Sequence, residues 1–260
     1  MPARKSVIVD DYANGQVIEE QDGVDADYLL PAEQWSVEFE TERITDLLMH
    51  ADDVEKADEI KEWQKDPRNK NMSVPGDDRS PPWTWLSYLY HDGINLAIPQ
   101  EVIRAILRHA GARVPLPNAG RGKKTFKELT QIGIDVDPPQ AMFFRFLHDG
   151  KQVPVAKLLR LAGDTSLSYK DHIKVAREHG FDLYMKRAPI GRAKHVRVRP
   201  IFRGKWSVHG RLRVTVREIN AETIQRILQI GGHSCGLGDW RPNSRTPGPF
   251  GRFFIKLRRV

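Results

Sequence analysis

The chain has 260 residues and a single cysteine, Cys235, which excludes an intrachain disulfide and a cysteine-rich zinc site. It holds no apolar run of about 18 residues, which excludes a membrane-spanning helix, and its start, Met-Pro-Ala-Arg-Lys-Ser, lacks the apolar core of a signal peptide. Net charge is +7, but Phe181 to Val260 alone carries +14, with 14 arginines against 4 lysines, while the residues before it carry −7. A soluble, cytoplasmic protein with a nucleic-acid surface towards its C-terminus is the expectation, because arginine suits phosphate and stacked bases by geometry as well as charge.

Residues 1–34 form an N-terminal arm in this reading. Asn14-Gly15 between the apolar pieces Val7-Ile8-Val9 and Val17-Ile18 signals a hairpin over Ser6 to Glu20. Trp35, Val37 and Phe39 alternate with polar residues as in a half-buried strand. From Thr41 to about Trp63 the spacing turns helical, with Ile44, Leu47 and Leu48 on one face, and the stretch continues as an acidic helical insertion. Asp66 to Pro82 reads as a polar linker, closing an insertion that runs over about 41–82. Four aromatics in Trp83 to Tyr90 predict core packing before a base-stacking platform.

Pro99 followed by Gln100-Glu101 is a good helix start and Gly111 a good stop. Val102, Ile103, Ile106 and Leu107 form the apolar stripe, which leaves Arg104 and Arg108 one turn apart on another face. Gly120 to Lys127 is a basic glycine loop without P-loop spacing, and Lys123 and Lys124 make it a second contact site. Met142 to Leu147 predicts a buried strand and Tyr169 to His179 a helix.

The last third is the most regular. His195, Arg197 and Arg199 alternate with valines, and Arg211, Arg213, Thr215 and Arg217 do the same. This predicts two strands with four arginines (Arg197, Arg199, Arg211, Arg213) on one open sheet face. Asn220 caps a predicted helix, Ala221 to Ile230, and Phe253, Ile255 and Leu257 mark a final strand. Between them lies Gly231 to Phe253, 23 residues with six glycines, three prolines, Trp240, Phe250 and only one acid, Asp239. A flexible, glycine-rich loop with aromatic and arginine side chains suits a nucleic-acid backbone and its bases. Its candidate contacts are Gly236, Gly238, Trp240, Arg241, Arg245 and Arg252. For Phe250, pinning the loop to the core is the stronger reading; for Trp240, pinning and stacking stand even.

The run Ile98-Pro99-Gln100-Glu101-Val102-Ile103-Arg104-Ala105-Ile106-Leu107-Arg108, the loop Gly231 to Trp240 with Gly248-Pro249-Phe250-Gly251-Arg252-Phe253, and the order strand, strand, helix, loop, strand resemble the RAMP superfamily, which includes backbone subunits of CRISPR effector complexes. Gln100 and Glu101 replace the glycine and serine usual there, and the loop is longer, which indicates a distant relative, with a phage origin one option. The resemblance covers about Leu96 to Arg108 and Val196 to the end. It implies an α+β fold with a ferredoxin-like or RRM-like antiparallel sheet, helices on one face, and RNA or single-stranded DNA bound by a homo-oligomer or a ribonucleoprotein subunit stacked along the strand.

Catalysis has less support. His233 and Cys235 lack a second ligand pair, so neither a metal nor another cofactor is implied. Metal-independent RNA cleavage would use a histidine, with His195, His209 and His233 in the basic third, but no motif selects one. A third reading is a phage structural or host-takeover protein whose basic face meets an acidic protein. Asp239 reads as a loop tie that bonds backbone amides.

Overall fold

The computed structural model describes residues 34–117, 124–190 and 193–260; the hairpin expected at Ser6 to Glu20, and Lys123, lie outside them. The elements in chain order are β1 (Trp35–Arg43), β2 (Leu47–Leu48), α1 (Val54–Lys65), β3 (Ala97–Pro99), α2 (Gln100–Gly111), α3 (Leu129–Ile132), β4 (Ile134–Val136), β5 (Phe143–His148), α4 (Ala156–Leu159), α5 (Tyr169–Glu178), β6 (Asp182–Ile190), β7 (Ala193–Phe202), β8 (Trp206–Val214), α6 (Ala221–Ile230) and β9 (Phe253–Arg259). The fold is α+β, with antiparallel sheets. None of the described helices is long and apolar enough to cross a membrane.

Six strands form the main sheet in the order β3-β5-β8-β1-β9, with β4 continuing the β5 edge of β8. Every pairing in it is antiparallel. Alternation sets its two faces. Val37 and Phe39 on β1, and Val208, Leu212 and Val214 on β8, are buried. They share one core with Ile103, Ile106 and Leu107 of α2 and with Ile224, Ile227 and Leu228 of α6. Gly210 of β8 lies under the edge-to-face pair of Phe39 and Phe144, and a Cβ there would collide with Phe144.

The second sheet is β2-β7-β6. Here the structure corrects the expectation of a single arginine face: β7 pairs with β2 and β6, while β8 lies in the main sheet. Valine–arginine alternation specifies a strand and its two faces, but not its neighbours. Arg197 and Arg199 therefore belong to one sheet, and Arg211 and Arg213 to the other.

The helical reading of 41–53 is also corrected. β1 runs on to Arg43, and Leu47 and Leu48 pair with Phe202 and Ile201. Two adjacent leucines fit a helical stripe and a buried strand equally well at that length. The helix begins only at Val54, where the Asp53 carboxylate accepts from the Lys56 N–H, and it has no buried residue. Nor is 66–82 a free linker. Asn69, Asp78 and Ser80 are buried there, and the Ser80 hydroxyl accepts from the Val74 N–H.

Trp83 and Trp85 lie in the core as expected. α2, α5 and α6 keep their expected spans within a residue or two, and Asn220 caps α6 by accepting from Thr223 N–H.

Candidate nucleic-acid interface

The glycine segment is a fixed structure, contrary to the flexible loop expected. Its first five residues, Gly231–Cys235, continue α6 as a π-helical turn. Cys235 and Leu237 are buried, the Leu237 N–H donates to Gly251 O at 2.8 Å, and the Asp239 N–H donates to Leu48 O at 2.8 Å. Gly238 has φ +76°, and a Cβ on it would strike the Leu48 carbonyl. Only glycine combines that backbone conformation with that approach. Gly236 and Gly238 are both buried, so they shape the loop and present no surface to a ligand.

Asp239 ties the loop apex to the second sheet. One carboxylate oxygen accepts from the Trp240 N–H at 2.7 Å, and the other accepts from Arg199 Nε at 3.0 Å. Arg199 exposes 10 % of its side chain, also donates to Asp78 at 2.8 Å, and stacks over the Tyr88 ring at 4.0 Å. Arg197 donates to the other Asp78 oxygen at 2.7 Å. These two expected phosphate contacts are thus committed to carboxylates.

Arg211 lies on the open face of the main sheet among carboxylates, whereas Arg213 is half-buried, has no salt bridge among the described residues, and its Nε is buried without a hydrogen-bond partner. Glu38 accepts from Arg211 at 2.8 Å and also from Arg258; Arg211 is 3.8 Å from Asp137, and Lys256 is 3.0 Å from Glu42. The two arginines hold the Glu38 carboxyl below the usual carboxylate range by hydrogen bonding to its charged form. The depression over this face, about 750 Å³, is lined by both signs of charge. Such a mosaic offers a polyphosphate chain little net attraction.

Four cations without a carboxylate partner among the described residues lie elsewhere. Arg108 and His109 lie near the end of α2, Arg113 just past it, Lys127 before α3, and Arg241 on the glycine loop. Arg113 bridges the two segments, donating to Cys235 Sγ at 3.0 Å and to Asn243 Oδ1 at 2.7 Å. Burial, and then the positive fields of Arg108, Arg241, Arg113 and Lys127, hold the His109 imidazole below its ordinary 6.5. Among the described residues none of these four cations has a salt-bridge partner. A depression of about 460 Å³ is lined by Arg108, His109, Lys127 and Gln131, with Glu128 its one acid.

Of the remaining expected contacts, Arg104 is 3.5 Å from Asp135, Lys124 and Arg245 are exposed, and Arg252 is half-buried just before β9. Sequence reasoning missed Arg113, because its link to Asn243 spans 130 residues. It also missed Tyr184 and Lys186 on β6, although Leu183 and Met185 alternate with them at the strand period.

His50, which the sequence did not single out, lies beside a carboxylate. His50 Nδ1 is 3.6 Å from Asp239, and its ring meets Tyr88 edge-on. Burial and then Arg199 push its pKa down, against Asp239. Its cleft, about 320 Å³, is lined by Asp52, Asp53, Asp77 and Asp78 against Arg197 alone, which repels a phosphodiester. Among the described residues no three His, Cys, Asp or Glu side chains gather to hold a metal ion.

Compared with protein-family models and with the curated proteins, the chain matches none.

Proposed function

We propose that this protein binds RNA or single-stranded DNA, and that the phosphate backbone docks where the end of α2 meets the glycine loop. The observation that carries the reading is the depression lined by Arg108, His109 and Lys127, next to Arg113, which links α2 to the loop that carries Arg241, with no salt bridge to these four cations among the described residues. Like charges held together raise each other's energy, and a polyanion relieves that repulsion while releasing its own counterions. Two rigid elements fix the geometry, because Arg113 joins the helix to the loop.

We read the main sheet as ferredoxin-like. The order β9-β1-β8-β5, with α2 following β1 and α6 following β8 in the chain, supports this, with β3 as an added edge and β6–β7 as an inserted hairpin. That order and the glycine loop before the last strand also support distant kinship with the RAMP superfamily, and with it assembly along a strand. In this reading RNA lies across the α2–loop junction, since the open sheet face is charge-balanced. Binding without cleavage fits the cationic junction better than cleavage fits the acid-lined His50 cleft.

The test is fluorescence anisotropy with a single-stranded oligonucleotide at about 50 mM salt, where phosphate contacts are strong. Arg108→Ala with Lys127→Ala is expected to weaken binding at least about tenfold, while Arg211→Ala with Arg258→Ala leaves it within about twofold. Wild-type protein that binds neither polymer overturns the proposal. Cleavage of the oligonucleotide that His50→Ala abolishes would favour the enzyme instead.

A further inference from the structure

Next to Arg241 the glycine loop holds two half-buried aromatic rings, Trp240 and Phe250. Trp240 has φ +43°, a left-handed conformation that a bulky residue adopts only when its surroundings impose it. They do so from both sides: Asp239 holds the Trp240 N–H, and a Cβ on Gly248 would collide with the Trp240 ring and carbonyl. The ring is half-buried and tilted 45° against Phe250 at 5.5 Å, and Phe250 meets Tyr184 of β6 edge-on at 5.6 Å. Lys186, two residues along β6, places its ammonium 3.3 Å from the centre of the Trp240 ring. Lys186 is exposed and has no salt bridge among the described residues, and Arg245 of the same loop is exposed as well.

We propose that Trp240, backed by Phe250 and Tyr184, is a stacking seat for a base of single-stranded nucleic acid. Lys186 occupies the ring face until the base arrives and then turns to a neighbouring phosphate. The inference rests on the phosphate reading above and adds a base contact, which requires an unpaired strand, because a base can reach the ring only if it is not paired within a duplex. An exposed ammonium over an aromatic face is held less tightly than a stacked base, and its flexible four-carbon stem lets it move aside. Charge complementarity favours this occupant: the rings are flanked by cations and stand on the loop that contributes Arg241.

The test compares two labelled single strands of equal length, oligothymidine and a fully abasic oligomer with the same phosphates, on the full chain. Oligothymidine is expected to bind about 5- to 150-fold more tightly, the range of one stacked base. Trp240→Leu should abolish that preference and leave abasic affinity within about twofold, whereas Trp240→Phe retains part of it. Arg108→Ala with Lys127→Ala lowers affinity for both strands alike. Equal wild-type affinity for the two strands overturns the seat but leaves the phosphate reading standing, and binding of neither overturns both. If Trp240→Leu does not fold, photocrosslinking of a 5-iodouracil strand to wild-type protein decides: an adduct on Trp240 or Tyr184 supports the seat, and an adduct elsewhere overturns it. Loss of self-association in Trp240→Leu with unchanged preference for bases would assign the patch to a second copy of the chain, and also overturns the proposal.

Discussion

Gly238 and Gly93 both have positive φ, +76° and +92°, yet only Gly238 has backbone in the way of a side chain. Gly93→Ala is therefore expected to cost about 1–2 kcal/mol from φ alone, and Gly238→Ala about 3 kcal/mol, because the Leu48 carbonyl must also shift. Urea midpoints of the two variants measure the difference, and equal midpoints would remove the case for a close-packed loop. His172 provides a second test at this scale. It is fully buried, and neither ring nitrogen has a hydrogen-bond partner. Burial pushes its pKa below 6.5, with Asp164 and Asp171 opposing. The unfolded chain then binds the proton more readily, so the stability due to neutral His172 is present above about pH 6.5 and is lost as pH falls through and below that value. Denaturation midpoints should fall between about pH 7 and pH 5, and His172→Leu should flatten that fall, though only in part. His50, His91, His109 and His209 are shifted in the same direction.

At the scale of elements, β7 is tied to the segment before Trp83 by one buried carboxylate. Asp78 accepts from Arg197, from Arg199 and from the Val198 N–H. Asp78→Ala leaves Arg199 buried with only Asp239 as a carboxylate partner, and is expected to cost about 3–5 kcal/mol. Arg199→Met in the same chain should recover much of that loss, because an apolar side chain has no charge to desolvate; a urea titration of the two variants reads both effects. Asp78 shows why the sequence carried only part of this architecture. The helices α2, α5 and α6 and the strands β1, β8 and β9 have local signals of period, cap and glycine stop, which marked each element, although β1 runs on to Arg43 where a helix was expected and β8 ends at Val214, before Thr215 and Arg217. β6 is the local hairpin partner of β7, but its other neighbour, β2, pairs Leu47 with Phe202, and the acid that enters its arginine row lies 120 residues from Val198; no local pattern encodes either.

Across the whole molecule, the same limit explains where the expected site moved. The excess of arginine after Phe181 was legible, but its worth depends on what each guanidinium meets: Arg197, Arg199 and Arg211 meet carboxylates from the acidic part of the chain, and Arg241 does not. Glycine-loop position and the Arg108 face of α2 could be read from the sequence, but the Arg113 link between them could not. Salt dependence separates the two surfaces. Each phosphate neutralised contributes about −0.7 to the slope of log affinity against log salt for a single strand. If Arg108 and Lys127 each neutralise one, removing both should make the slope shallower by about 1.4. Arg211 and Arg258 already exchange charge with Glu38, so removing them should leave the slope unchanged even if affinity drifts. Titrations from about 50 to 200 mM salt on the three proteins measure this. A slope that changes with the sheet pair and not with the α2 pair would move the phosphate track onto the open face of the main sheet, and Glu38, Glu40 and Glu42 would then have to turn away from it.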